Sequence, residues 1–225
     1  MKSGFSLKLQ LVAAGAAVAL LSAGCGLLAP KSERSCGAAA RLCYVAPPLG
    51  FTWIQARHDT GSYGSSTVQV PIKYLGEQMW RGQKVHAYES PESTTLATAG
   101  DRFAFITQVK GDIPILTWEP PIAWEYPLEV GKKWTRKYSM TIHATNRTFT
   151  IEEAQVIEAY EDVTVPAGTF KAWRVRSTDN FGNENLQWYA PDLGIFMKQS
   201  LRRTARHAAG PGTREIELIS YNRGN

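Results

Sequence analysis

The chain has 225 residues, 44% hydrophobic and 20% charged, with 25 Lys and Arg set against 20 Asp and Glu for a formal net charge of +5. That length and apolar content suit one large domain, or two small ones, with a real hydrophobic core. The basic residues are dispersed, Arg202, Arg203 and Arg206 forming the main cluster, so the charge balance argues against a nucleic-acid partner.

The N-terminus reads as an address. Lys2 and Lys8 make a positive start, and Leu11 to Leu21 is an uncharged run of Leu, Val, Ala and Gly. It is too short for a hydrocarbon layer of about 30 Å, which needs about 20 residues, so residues 1–24 read as a signal peptide. The end of that run, Leu21-Ser22-Ala23-Gly24-Cys25, resembles the lipobox of bacterial lipoproteins, in which a peptidase cuts before a lipidated cysteine. Ser22 stands where that pattern usually has Leu, which here lies one place earlier. The resemblance implies a lipidated Cys25, with palmitate-type acyl chains that bind a membrane through about 0.8 kcal/mol per buried CH₂. Cleavage there leaves 201 residues with a net charge of +3. Gly26, in place of Asp, points by resemblance to enterobacterial sorting toward the outer membrane, facing the periplasm or the surface. The alternative is an ordinary signal peptide cut nearby, with Cys25 a stray thiol.

Two further cysteines, Cys36 and Cys43, are expected to pair in an oxidising compartment. They are spaced as neither a Cys-x-x-Cys nor a haem-attachment motif, so redox and metal chemistry have no support there. The stretch from Gly26 to about Tyr44 has no sustained period, and residues 25–47 read as a lipidated tether with a disulfide. About 20 such residues span roughly 25 Å as coil. Pro47 and Pro48 stop any helix, and an antiparallel β domain is expected over 48–225.

From Gly50 the pattern is strand after strand. Phe51 to Trp53, Thr67 to Leu75, Lys84 to Glu89, Phe103 to Val109 and Ile113 to Trp118 make the first half. Lys133 to Ala144, Arg147 to Tyr160, a hairpin over Glu161 to Ser177, Leu186 to Tyr189, Ile195 to Leu201 and Arg214 to Tyr221 make the second. In the hairpin, Val163 and Val165 alternate with Asp162 and Thr164, Pro166-Ala167-Gly168 breaks the pattern, and Trp173 and Val175 resume it. Pro166 cannot donate to a ladder, and Gly168 supplies the positive φ that the turn requires. Helix is expected to be scarce. The fold class is all-β: an antiparallel, strongly curved sheet or open barrel.

The two halves can be laid over each other, 48–118 on 126–221, with Trp53 on Trp134 and Gly82 to Ser90 on Gly168 to Ser177. Identities are few, and any two β-meanders share alternation, so duplication and coincidence both account for the match. Three segments, Tyr126-Pro-Leu-Glu-Val-Gly-Lys-Lys-Trp134, Val163-Thr-Val-Pro-Ala-Gly-Thr-Phe-Lys-Ala172 and Trp188-Tyr-Ala-Pro-Asp-Leu-Gly194, resemble the recurring pieces of a broad group of uncharacterised bacterial surface lipoproteins. That resemblance implies a curved antiparallel sheet similar in outline to the lipoprotein localisation factors, and no catalytic residues.

No reactive constellation stands out. His58, His86, His143 and His207 are not in ligand-spaced pairs, and no nucleophile elbow, zincin motif or phosphate loop is present. Adjacent acids such as Glu152 and Glu153 point to opposite faces of a strand and cannot share a substrate atom. The expectation is therefore a membrane-anchored envelope lipoprotein without catalysis, cofactor, metal or nucleic acid, acting as a binding or scaffold module. In the binding version, Trp134, Trp173, Val175, Trp188 and Ile195 line a concave groove for a lipid or other apolar molecule. In the structural version they form a closed core, and an exposed face docks an envelope protein. A hydrolytic enzyme built from dispersed residues is the third alternative.

Overall fold

The computed structural model describes residues 42–100 and 102–224; the signal segment, Cys25 and Cys36 lie outside the described residues. Twelve strands follow one another: β1 (Thr52–Gly61), β2 (Ser66–Trp80), β3 (Gln83–Glu89), β4 (Thr94–Thr98), β5 (Ala104–Lys110), β6 (Ile113–Ala123), β7 (Lys133–Ile142), β8 (Arg147–Val165), β9 (Gly168–Asp179), β10 (Asn183–Ala190), β11 (Ile195–Arg203) and β12 (Gly212–Asn222). Among the described residues, helix is limited to short 3-10 turns such as His143–Thr145. No helix among the described residues is long and apolar enough to cross a membrane.

Each strand pairs antiparallel with its sequence neighbour, and β1 pairs with β12 from Thr52↔Asn222 to Gly61↔Gly212. The sheet is thus all-β and antiparallel as expected, but it is a closed barrel and not an open one. Closure leaves no long edge and satisfies the backbone groups of the first and last strands on each other.

The local signals hold best at turns. β8 and β9 close on Val165↔Gly168 around Pro166 and Ala167, and Gly168 has φ +133°. The β6–β7 ladder stops at Glu119↔Ser139, because Pro120 and Pro121 follow and offer no N–H. Alternation failed elsewhere. β4 was missed because Thr94-Thr-Leu-Ala-Thr98 alternates too weakly, and β8 runs unbroken for 19 residues across the expected gap at Tyr160–Glu161. A register shift at Ile157/Ala159 lets this long strand change its packing without ending. Six strands lie before Trp124 and six after it; a simple meander produces that count with or without a duplication.

An antiparallel meander puts its turns alternately at two ends. The end holding the β2–β3, β4–β5, β6–β7, β8–β9 and β10–β11 connections also receives the N-terminal segment and is called the base here. The last six residues assigned to the tether, Leu42–Pro47, are packed into this base instead of crossing solvent. Cys43 and Tyr44 are 4% and 3% exposed, Leu128 N–H donates to Leu42 O at 2.7 Å, and Val45 N–H donates to Tyr189 Oη at 2.9 Å. Cys43 is disulfide-bonded.

Candidate functional site

The five residues expected to line a groove do not share one. Trp134, Trp173 and Val175 are buried in one cluster with Tyr44, Trp124, Leu128, Ile157 and Tyr189, whereas Ile195 belongs to a second with Phe51, Trp53, Val163, Met197 and Leu218. Trp188 points away from the first cluster and packs, partly buried, against the second one together with Ile195. It pairs directly with Arg174 and Lys198, its Nε1–H donates to Glu161 Oε1 at 3.2 Å, and Lys198 Nζ lies 5.6 Å from its ring. Tyr189 takes the inward position beside it, and a register shift between Trp188 and Tyr189 sets Ile195 apart from the inward residues of β10. The inward tryptophans are therefore packed core.

The base is filled by the chain's own strap. Tyr44 inserts among Phe103, Tyr189 and His86, with ring centroids 4.8, 5.9 and 5.6 Å away, and its hydroxyl is hydrogen-bonded to that of Tyr88. Next to this pair, Tyr74 Oη is 2.7 Å from His86 Nδ1. Burial pushes the phenols of Tyr44, Tyr88 and Tyr189 well up, so all three stay neutral. Burial pushes His86 down, so the imidazole is neutral too, while the Gly100 backbone and Glu77 act in the opposite sense. A neutral tyrosine–histidine network fills space and satisfies hydroxyls; it holds no activated nucleophile.

Away from the base, polar side chains take over the inward phase. Cross-strand partners share a face, so Val175 fixes Gln187 as inward, and two-residue steps extend this to Ser177 and Asp179 on β9, Gln155 and Glu153 on β8, and Asn185 on β10. Arg136 joins Glu153 in this layer, donating from Nε to Oε2 at 2.7 Å. On β1 and β12, Asp59 is 3% exposed and accepts from Arg214 Nε and Nη2 at 2.7 and 2.8 Å. Those hydrogen bonds hold the Asp59 carboxyl below its ordinary range despite burial. Beyond them Arg203 and Arg214 both lie over the Tyr63 ring, their guanidinium carbons 3.9 and 4.9 Å from its centre. Trp134 Nε1 and Gln155 Oε1, on directly paired residues, are buried without a hydrogen-bond partner among the described residues.

Sequence reasoning missed this layer because it took polar residues in strands as outward. The usable signal was phase: Asn183, Asn185 and Gln187 are in step with inward Tyr189, as Ser177 and Asp179 are with Trp173 and Val175. The opposite phase carries the outer ion pairs, Lys198–Glu217 at 2.7 Å, Arg202–Glu184 at 2.6 Å and Arg174–Glu158 at 2.9 Å. A shallow cleft of about 520 Å³ lies on β7–β9, lined by Lys133, Trp134, Thr135, Ala154, Gln155, Val156, Arg176 and Thr178. Six of these are in the outward phase, so the cleft belongs to the outer wall, and Trp134 is its one member from the expected groove.

Among the described residues no three His, Cys, Asp or Glu side chains come together as a metal site. His58 and His143 each meet a threonine hydroxyl, at 2.7 and 2.8 Å. No family model and no curated protein matches the chain. Among the solved structures it is similar to are the following three. A protein inferred to be exported, with a YmcC-like fold, from Bacteroides fragilis has 12% identity and a TM-score of 0.49 over 80% of this chain and 99% of that one. An inferred lipoprotein from Parabacteroides distasonis has 9% identity and a TM-score of 0.45 over 80% and 99%. The hypothetical lipoprotein YmcC from Escherichia coli has 12% identity and a TM-score of 0.42 over 76% and 84%.

Proposed function

We propose that this protein is a lipid-anchored, non-catalytic barrel of the bacterial cell envelope, a scaffold that presents its outer wall to an envelope protein. The observation that carries this reading is the position of Tyr44, 3% exposed in the base beside Tyr88, Phe103 and Tyr189. The inward aromatic positions that an apolar ligand would use are occupied by the chain itself. Closure also removes the physical need for a lid, since a closed sheet has no edge to cover. The anchoring half of the reading rests on the lipobox-like Leu21 to Cys25 segment, and outer-membrane placement on Gly26.

A fluorescent fatty-acid probe titrated against the purified protein is expected to show no saturable binding. Saturable binding that is weakened by Trp173→Ala, with the fold retained, would return the apolar-ligand reading to first place. Cys25→Ser is expected to leave an uncleaved precursor or to release the protein from the membrane fraction. A variant that is still processed and membrane-bound would overturn the anchor.

A further inference from the structure

Seven large apolar side chains stand exposed among the described residues, and five of them, Val45, Leu49, Met79, Val130 and Tyr221, are at the base. They follow the course of the strap. Its first described residue is held at the β6–β7 connection by Leu128 N–H, two residues from Val130. Val45 lies against the β10–β11 turn, where a Cβ on Gly194 would overlap the Val45 carbonyl. Leu49 reaches β2 at Gly76, three residues from Met79, and Tyr221 stacks on Phe51 with ring centres 5.8 Å apart. Leu49, Met79 and Val130 are 73, 66 and 60% exposed. Arg81, over the Trp80 ring at 4.7 Å, and Lys84, Lys132 and Arg223 add cations at this end, where Glu77, paired with Lys84 at 3.3 Å, Glu125, Glu129 and Asp192 are the acids.

We infer that the base is a membrane-docking surface, and that the lipid bilayer holding the anchor is what covers these side chains. This rests on the lipid-anchor reading of Cys25. Only 16 residues separate Cys25 from Leu42, and a flexible chain of that length would reach roughly 20–25 Å. The anchor therefore draws the base to the lipid, while the opposite end is a further barrel length away: β1 alone has 10 residues, about 30 Å if fully extended. Apolar side chains flanked by Lys and Arg suit the boundary between headgroups and acyl chains, where the apolar part is buried and the charge stays in water.

The test uses acylated full-length protein purified from bacterial membranes and reconstituted into phosphatidylethanolamine–phosphatidylglycerol vesicles. An environment-sensitive fluorophore is placed on the single new thiol of Met79→Cys, of Val130→Cys in case the first variant misfolds, and of Ile113→Cys as the far-end control, since Ile113 is 71% exposed at the opposite end. Flotation with the vesicles, emission shifted to the blue at the base positions, and severalfold stronger quenching there than at Ile113→Cys by a lipid-borne quencher are expected. Flotation with equal, water-like emission at all positions overturns the docking surface and leaves the anchor intact. Base emission shifted without quenching by the lipid-borne probe also overturns it, because a protein and not lipid would then cover the face. Failure to float overturns both the anchor and the inference built on it.

Discussion

Two residues set the terms on which this fold tolerates change. Gly168 has φ +133°, and a Cβ there would meet only Phe170, at 3.5 Å, so space is not the constraint. The constraint is the backbone, which a β-branched residue rarely adopts at positive φ. Gly168→Val is expected to cost on the order of 1–3 kcal/mol, seen as a lower urea midpoint at unchanged slope. An unchanged midpoint would show that the turn does not need this conformation. His86 makes a different prediction. It is 3% exposed, faces Tyr74 and Glu77 on β2, Tyr44 on the strap and Tyr88 on its own strand, and burial holds its pKa below the ordinary value. As pH falls, the unfolded chain takes up this proton first, at about 6.5, so the contribution of neutral His86 is present above that value and is lost as pH drops toward the folded one. The melting temperature should decline from pH 7 to pH 5, and His86→Gln should flatten that decline. Asp59, held low by Arg214, loses its contribution only below about pH 4, so the two windows are separable.

At the scale of elements, the strap from Leu42 to Pro47 behaves as part of the barrel although it forms no strand. Its backbone is fixed by Leu128 and by the Tyr189 hydroxyl, its tyrosine fills the base, and its cysteine is bridged. Gly194, with φ +69°, is the contact that admits it: a Cβ would overlap Val45 O and lie 2.7 Å from Pro47 N. Gly194→Ala should therefore unseat the strap, combining backbone strain with a clash that no flexible side chain can relieve. Limited proteolysis is expected to cut within residues 42–48 of this variant and not of the wild type. Tyr44→Ala should destabilise by about 3–5 kcal/mol through the cavity it leaves; a loss below about 1 kcal/mol would mean that the base repacks without its plug. None of this was legible from Leu42-Cys-Tyr-Val-Ala-Pro47, which is too short to show a period, because the strap is ordered by tertiary contacts and not by propensity. The strands were legible wherever alternation was strong, as in β9, and not in β4, where threonines stand at both phases.

At the scale of the molecule, the sequence carried the meander but not its closure. Whether β12 meets β1 depends on stagger summed over every pair, including register shifts at Ile54/Gln55, Ile157/Ala159 and Trp188/Tyr189, and no local pattern encodes that sum. The surroundings of the candidate groove residues have the same origin: Trp134 and Trp173 are buried in one cluster with Tyr44, and which element fills the space between them is a property of the whole. Closure yields the last prediction. Deleting residues 212–225 removes β12 and strips the partner strand from ten residues of β1 and six of β11, and it exposes Trp53 and Met197, which pack with Leu218 of β12. Two long open edges beside bared apolar side chains are a template for intermolecular pairing. The truncated chain is expected to elute from size exclusion as oligomers or aggregate under conditions where the intact chain's elution is unaffected. A truncated chain with unchanged elution and a cooperative melt would show that the first eleven strands hold their curvature without the seam.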